Sequence, residues 1–202
     1  MGSITPRQLP KQYLSVRGKP VLAHSLATLL ALPDIARIVV VLNPADEQFA
    51  RLDAAADPRV ITALGGDERQ DSVLSGLDAL TDARDDDWVL VHDAVRPCVT
   101  LAEIRALLTA LADHPAGGLL AAPLDNTLKE VDAEGRVLHT LDRSRHWQAL
   151  TPQLFRAGIL RQALESAQKE GRASTDEASA VEALGQEVLG QPVQIVPGSK
   201  YN

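Results

Sequence analysis

The sequence predicts an α/β protein built on a doubly wound, mostly parallel sheet. Short runs rich in Val and Ile alternate with stretches whose apolar residues recur at helical spacing, and short turns join them. Hydrophobic residues make up 45% of the 202 residues and aromatics only 3%. The core therefore has to be assembled from Leu, Val, Ile and Ala, which suits helices layered on a sheet. Neither an internal repeat nor a low-complexity linker interrupts the alternation, so residues 1–202 read as a single domain.

The chain opens on MGSITPRQLPKQYLSV, where Pro6 and Pro10 lie among basic groups without an apolar period, so a loop is expected. A helical pattern covers residues 20–32, and ARIVVVLNP supplies a buried strand closed by Asn43 and Pro44. A second helix is expected over 45–52, then VITAL as a strand. GGDERQDSVLSGLDAL turns into a helix whose Val73, Leu74, Leu77 and Leu80 share a face. WVLVH is the next strand, residues 101–112 the next helix and GGLLAAP a further strand. Between 125 and 148 the pattern becomes polar and β-prone around the turn DAEGR, which reads as a projecting hairpin. Helices are expected over 155–170 and 175–184, and VQIVPG is the last strand.

A net charge of −7 argues against a broad nucleic-acid or anionic-membrane surface, since either partner needs clustered cations. An anionic substrate in one local basic pocket stays compatible with it. No run approaches the roughly 20 apolar residues of a spanning helix. Cys98 is the single cysteine, so no intrachain disulfide and no cysteine-built zinc site can form, which suits a reducing, cytoplasmic compartment.

Several stretches carry chemistry. Lys11 in PKQY reads, by spacing alone, as a solvated loop cation sooner than as a functional one. In GGDERQDS the glycines permit a tight strand-to-helix turn, and Asp67 with Gln70 has capping-box spacing. The turn is either a plain helix start or one whose N–H groups receive a phosphate or the polar edge of a base. Asp93 in HDAVRP follows a buried strand directly, where ligands of doubly wound sheets sit, although Arg96 could hold it in a structural ion pair. STDEAS reads as a helix start with Ser174 and Glu177 at capping-box spacing, a structural assignment. His24, His114, His139 and His146 show no ligand spacing, and His92 reads as a buried strand histidine; no protein-only metal cage is expected.

PKQYL, GGDERQDSVLSGL, VLVHDAVRPC, AAPLDNTLK, LDRSRHWQALTPQLF and TDEAS occur together in the order and near the spacing of one family. The sequence resembles the 2-C-methyl-D-erythritol 4-phosphate cytidylyltransferases of the non-mevalonate isoprenoid pathway, over essentially all of residues 8–202. The resemblance implies a Rossmann-like nucleotidyltransferase domain and a β-arm, residues 125–148, that clasps a second copy in a homodimer. It also implies transfer of CMP from CTP to methylerythritol phosphate, with Mg2+ bound mainly through the CTP phosphates. Catalysis would be mainly positioning and charge stabilisation. By resemblance Lys11 stabilises charge on the α-phosphate; Gly66, Asp67 and Ser72 hold cytosine and ribose; Asp93 and Ala94 belong to the nucleotide site, with Asp93 also near metal and acceptor. Thr127, Arg143 and Thr151 surround methylerythritol phosphate, with Arg143 gripping its phosphate, and the arm residues are expected to serve the partner's site.

The pattern of the family also implies a strand and a Gly-rich loop before Met1, with Met1 and Gly2 as the end of that loop, and a further segment after Asn202. Loss of a central strand would orphan backbone groups at about 1–3 kcal/mol each. An alternative from another class is that a chain so shortened is catalytically impaired and only dimerises or binds nucleotide. A cytidylyltransferase for a pentitol phosphate such as ribitol 5-phosphate is the alternative within the same chemistry.

Overall fold

The computed structural model describes residues 9–202. The reading of Met1 and Gly2 as the end of a phosphate-binding loop lies outside the described residues. A 3-10 turn at Lys11–Tyr13 leads into the short ladder of β1 (Ser15–Val16) and β2 (Lys19–Pro20). Helix α1 (Val21–Leu30) follows, with Leu22, Leu26 and Leu29 turned inward at helical spacing.

Strand β3 (Ile38–Leu42) pairs in parallel with β4 (Val60–Leu64), as two Val/Ile-rich runs joined by a crossover should. The expected helix over 45–52 is instead a pair of 3-10 turns, Phe49–Arg51 and Asp53–Ala56. Asp46 accepts hydrogen bonds from the N–H groups of Gln48 and Phe49, so its side chain ties down the backbone in a local turn. Helix α2 (Arg69–Ala79) packs on this pair.

A second sheet has the order β10–β6–β9–β5, built from β5 (Trp88–Val91), β6 (Gly117–Pro123), β9 (Trp147–Arg156) and β10 (Gln194–Pro197). The β10–β6 ladder is parallel, whereas β9 runs antiparallel to both β5 and β6. The sequence pattern did not reveal β9, because Gln148, Thr151, Pro152 and Gln153 break its apolar run. All of residues 150–155 are nonetheless buried, held between strands on both sides. Among the described residues no ladder joins β3 to β5. One core still spans both sheets, since Ile38 and Val40 share a cluster with Leu120, Leu150, Leu154 and Val196.

Helix α3 (Leu101–Leu111) opens with a Thr100/Glu103 capping box and buries Ile104, Leu107 and Leu111. Helix α4 (Ala157–Lys169) buries Leu160, Ala163, Leu164 and Ala167. With α5 (Glu177–Glu182) it builds a second cluster around Phe155, and the short α6 (Gln186–Leu189) adds Leu189. The antiparallel hairpin β7 (Lys129–Val131) and β8 (Val137–Thr140) lies inside the expected arm, and every one of its strand residues is exposed.

Candidate active site

The carboxyl ends of β3 and β4 border a cleft of about 220 Å3 lined by Val41, Leu42, Asn43, Pro44, Gly65, Gly66 and Ser72. Gly65 N–H donates to Leu42 O at 2.8 Å, and Gly66 N–H donates to Ser72 Oγ at 3.2 Å. The Ser72 hydroxyl donates to Glu68 O at 3.2 Å, and Ser75 donates to Leu64 O at 2.6 Å, so the first turns of α2 clamp the glycine turn. A Cβ on Gly66 would lie 2.4 Å from Asp71 Cβ, which explains glycine at this close approach. Gly66 and Ser72 are thus brought together at the cleft. Asp67 is exposed beside them.

The helix start differs from the expected Asp67/Gln70 pair. Glu68 is the N-cap and Asp71 its reciprocal partner. Gln70 is buried and accepts from Ser174 N–H at 3.4 Å. A similar displacement occurs at α5, whose cap is Asp176 with Ser179 rather than Ser174 with Glu177.

Beyond the end of β5, Asp93 receives a guanidinium on each carboxylate oxygen. Arg69 Nη2 donates to Oδ1 at 3.2 Å and Arg96 Nε to Oδ2 at 3.0 Å. Burial works to raise the Asp93 carboxyl, but these two cations outweigh it and hold the group below the usual carboxylate range. The expected Arg96 pair is therefore present, and Arg69 joins it from α2. Arg69 in turn grips Glu177, donating from Nη1 to Oε1 and from Nη2 to Oε2 at 3.0 Å. Glu177 is only 1% exposed. Its burial raises the carboxyl above its ordinary value against the pull of Arg69.

Thr151 is brought to the same place. Its Oγ1 accepts from Asp93 N–H at 3.2 Å and lies 2.9 Å from His92 Nδ1, while His92 Nε2 lies 3.0 Å from Arg96 O. A carbonyl only accepts, so the neutral imidazole carries its proton on Nε2 and accepts a hydrogen bond from the Thr151 hydroxyl at Nδ1. Burial lowers the His92 pKa, which favours that neutral form. Asn202 Nδ2 donates to Thr151 O at 2.6 Å, and Arg96 Nη1 donates to Asn202 O at 2.9 Å. Ala94 is anchored from α1 by Ser25, whose hydroxyl donates to Ala94 O at 3.0 Å.

The remaining expected residues stand apart from this cluster. Lys11 is exposed on its 3-10 turn, which buried Tyr13 fixes by donating to Asp46 Oδ2 at 2.7 Å. Arg143 lies on the turn Arg143–Arg145 at the arm's base and donates to Asp125 O at 2.6 Å. Lys200, which carried no expectation, pairs with the Asp125 carboxylate beside it. Thr127 is exposed nearby in sequence. Arg69 and Glu177 join the site without a signal of their own in the sequence, where Arg69 reads only as part of a helix start and Glu177 only as a cap.

Among the described residues no grouping of His, Cys, Asp or Glu is arranged to hold a metal ion. Both oxygens of Asp93 are already engaged by arginines. The described residues do not build a magnesium site of their own.

The amino-acid sequence matches a known family along its whole length: the 2-C-methyl-D-erythritol 4-phosphate cytidylyltransferase (IspD) family pattern covers residues 1–202. The chain belongs to that family. The 2-C-methyl-D-erythritol 4-phosphate cytidylyltransferase of Ectopseudomonas mendocina is 53% identical over 174 residues, 85% of this chain and 74% of its own length. The Vibrio parahaemolyticus protein of the same name is 47% identical over 181 residues, 90% of this chain and 77% of its own length. A crystal structure of a 4-diphosphocytidyl-2C-methyl-D-erythritol synthase superposes with a TM-score of 0.81 at 37% identity, covering 95% of this chain and 86% of that one. The Francisella tularensis cytidylyltransferase gives 0.81 at 33% identity, covering 96% and 86%. These relatives support the α/β nucleotidyltransferase fold and the cytidylyltransferase class, and favour methylerythritol phosphate over a pentitol phosphate as acceptor.

Proposed function

We propose that this chain transfers a cytidylyl group from CTP to 2-C-methyl-D-erythritol 4-phosphate, giving 4-diphosphocytidyl-2-C-methyl-D-erythritol and pyrophosphate. The observation that carries the reading is the family match across residues 1–202. An oxygen of the acceptor phosphate forms a bond to the α-phosphorus while the bond from that phosphorus to the bridging oxygen of pyrophosphate breaks. The protein's work is to align the two phosphates and neutralise charge as it develops.

In this reading the cleft lined by Gly66 and Ser72, with Asp67 exposed beside it, holds the nucleoside, where unsatisfied donors and acceptors would penalise the wrong base. Ala94 and Asp93 border the ribose and phosphates. Lys11 supplies a cation to the α-phosphate. Thr151 and the arm residues Thr127 and Arg143 take the acceptor, the arginine fork suiting its phosphate. Mg2+ enters with CTP, as part of the substrate. The exposed hairpin of β7 and β8 is suited to clasp a second copy, placing Thr127 and Arg143 in that copy's site, and the compartment is the cytoplasm.

The test is pyrophosphate release by the 202-residue chain from CTP and methylerythritol phosphate with Mg2+, with ribitol 5-phosphate as the competing acceptor. Turnover selective for methylerythritol phosphate is expected. A preference for ribitol 5-phosphate, or no release at all, would overturn the assignment. Heterodimers combining one Arg143→Ala arm with one Lys11→Ala site test the shared geometry. Both defects fall on one site there, so about half the wild-type activity should remain.

A further inference from the structure

The most deeply buried carboxylate near the cleft has no part in the reading above. Glu177 begins α5 and is 1% exposed, while its neighbours Ala178, Ala180 and Val181 pack into the second core cluster. That packing makes Glu177 a fixed point of the fold. A carboxylate withdrawn from water needs a cation close by, and Arg69 provides one through both terminal nitrogens. Two hydrogen bonds to one carboxylate fix the plane of the guanidinium. The same Nη2 then reaches Asp93 Oδ1 at 3.2 Å.

We propose that Arg69, immobilised by Glu177, is a positioning residue that sets the orientation of the Asp93 carboxylate at the nucleotide and acceptor sites. The inference rests on the cytidylyl-transfer reading. Asp93 lies in a loop rather than a strand, and Arg96 on that same loop can hold only the oxygen it faces. Arg69 holds the other oxygen from a helix, and its own anchor comes from a residue 108 positions away. The carboxylate is thereby held from its own loop and from the core together. Thr151 completes the arrangement by accepting the Asp93 N–H, which fixes the backbone beneath the carboxylate. The charges of Arg69, Arg96, Asp93 and Glu177 cancel, so the cluster presents orientation rather than net charge to an incoming phosphate.

A purely structural role for Arg69 would be to neutralise Glu177, and a paired substitution separates the two roles. Arg69→Gln/Glu177→Gln removes both charges at once and leaves no buried ion alone. It is expected to fold, yet to lose about tenfold or more in kcat for cytidylyl transfer because Asp93 has lost an anchor. Arg69→Lys keeps a cation beside Glu177 but lacks the fork needed to serve both carboxylates, so a similar loss is expected even if the double variant fails to fold. Added to Asp93→Asn, either change should cost almost nothing further. Carbon-13 NMR of the Asp93 carboxyl supplies a readout independent of turnover: its titration should move to higher pH in the double variant or in Arg69→Lys. Folded variants with wild-type kcat and KM, losses additive with Asp93→Asn, or an unmoved Asp93 titration would each overturn the proposal. A wild-type chain that transfers no cytidylyl group would instead count against the functional reading, and the NMR titration would still judge the positioning contact.

Discussion

Lys11 shows how a residue gains meaning from what fixes its neighbour. A lysine in a proline-bounded loop has no geometric constraint of its own, but Tyr13 in the same 3-10 turn is buried and bonded to Asp46. Burial raises the Tyr13 phenol well above its ordinary value, and the Asp46 hydrogen bond and charge add to that rise. The phenol therefore stays protonated and keeps donating. A cation placed for charge that develops during transfer acts most strongly in the transition state. Lys11→Ala is expected to lower kcat by about 10²–10³ with little change in the KM for CTP, measured by steady-state pyrophosphate release. Arg143→Ala should act differently, raising the KM for methylerythritol phosphate by about tenfold, because its fork grips a phosphate present in ground state and transition state alike.

At the scale of elements, β6 makes a specific demand on its first residue. Gly117 has φ of +122°, and a Cβ there would lie 2.2 Å from Leu154 O of the neighbouring β9. The clash is with backbone inside a sheet, so it cannot be relieved by moving a side chain. Gly117→Ala should therefore destabilise the fold by at least about 1–3 kcal/mol, seen as a lower midpoint in urea unfolding with an unchanged slope. The GGLLAAP run announced this strand because burial on both faces leaves a continuous apolar signature, and the β-branched and apolar runs announced β3, β4 and β5. β9 left no such signature. Gln153 is buried because its amide donates to Asp176 and its carbonyl accepts from Ala178 N–H. A polar residue satisfied that way is indistinguishable, in sequence, from one facing water. The caps of α2 and α5 were misplaced by one and two residues for a related reason: Asp, Glu and Ser crowd both starts, and several pairs fit the spacing.

Over the whole molecule, carboxylates tie separate segments together and so make stability depend on pH. Asp46 joins the Lys11 turn to the segment after β3, Asp93 joins the loop after β5 to α2, and Glu103 accepts from Ser199 N–H beyond β10 at 2.7 Å. Burial opposes ionisation in all three, yet hydrogen bonds to each charged form hold its pKa below the ordinary value. Groups lowered in the folded state contribute stability that is present above their unfolded pKa, about 4, and is lost as pH falls through the folded value. Glu177 has the opposite sign: burial raises it, so its contribution is complete in acid and lost as pH rises through its folded value. Since the lowered groups are the more numerous of those named, the urea midpoint should fall steeply below about pH 4. Glu177→Gln should flatten the profile above that pH, and a midpoint independent of pH in acid would contradict the account.

By itself the sequence determined the α/β class, most helices and strands, and the position of the glycine turn and of Asp93 at strand ends. Those features are written in local periodicity and in turn chemistry, which act between residues a few positions apart. The six motifs in register also pointed to the family and to the residues grouped as Gly66 with Ser72 and Asp93 with Thr151. Only the tertiary structure decided that β9 lies between β5 and β6, that Arg96 holds one Asp93 oxygen rather than merely standing nearby, and that Arg69 holds the other from a buried Glu177. Contacts that join positions 69, 93 and 177 depend on how sheets and helices are ordered in space, and no local pattern of residues records that order.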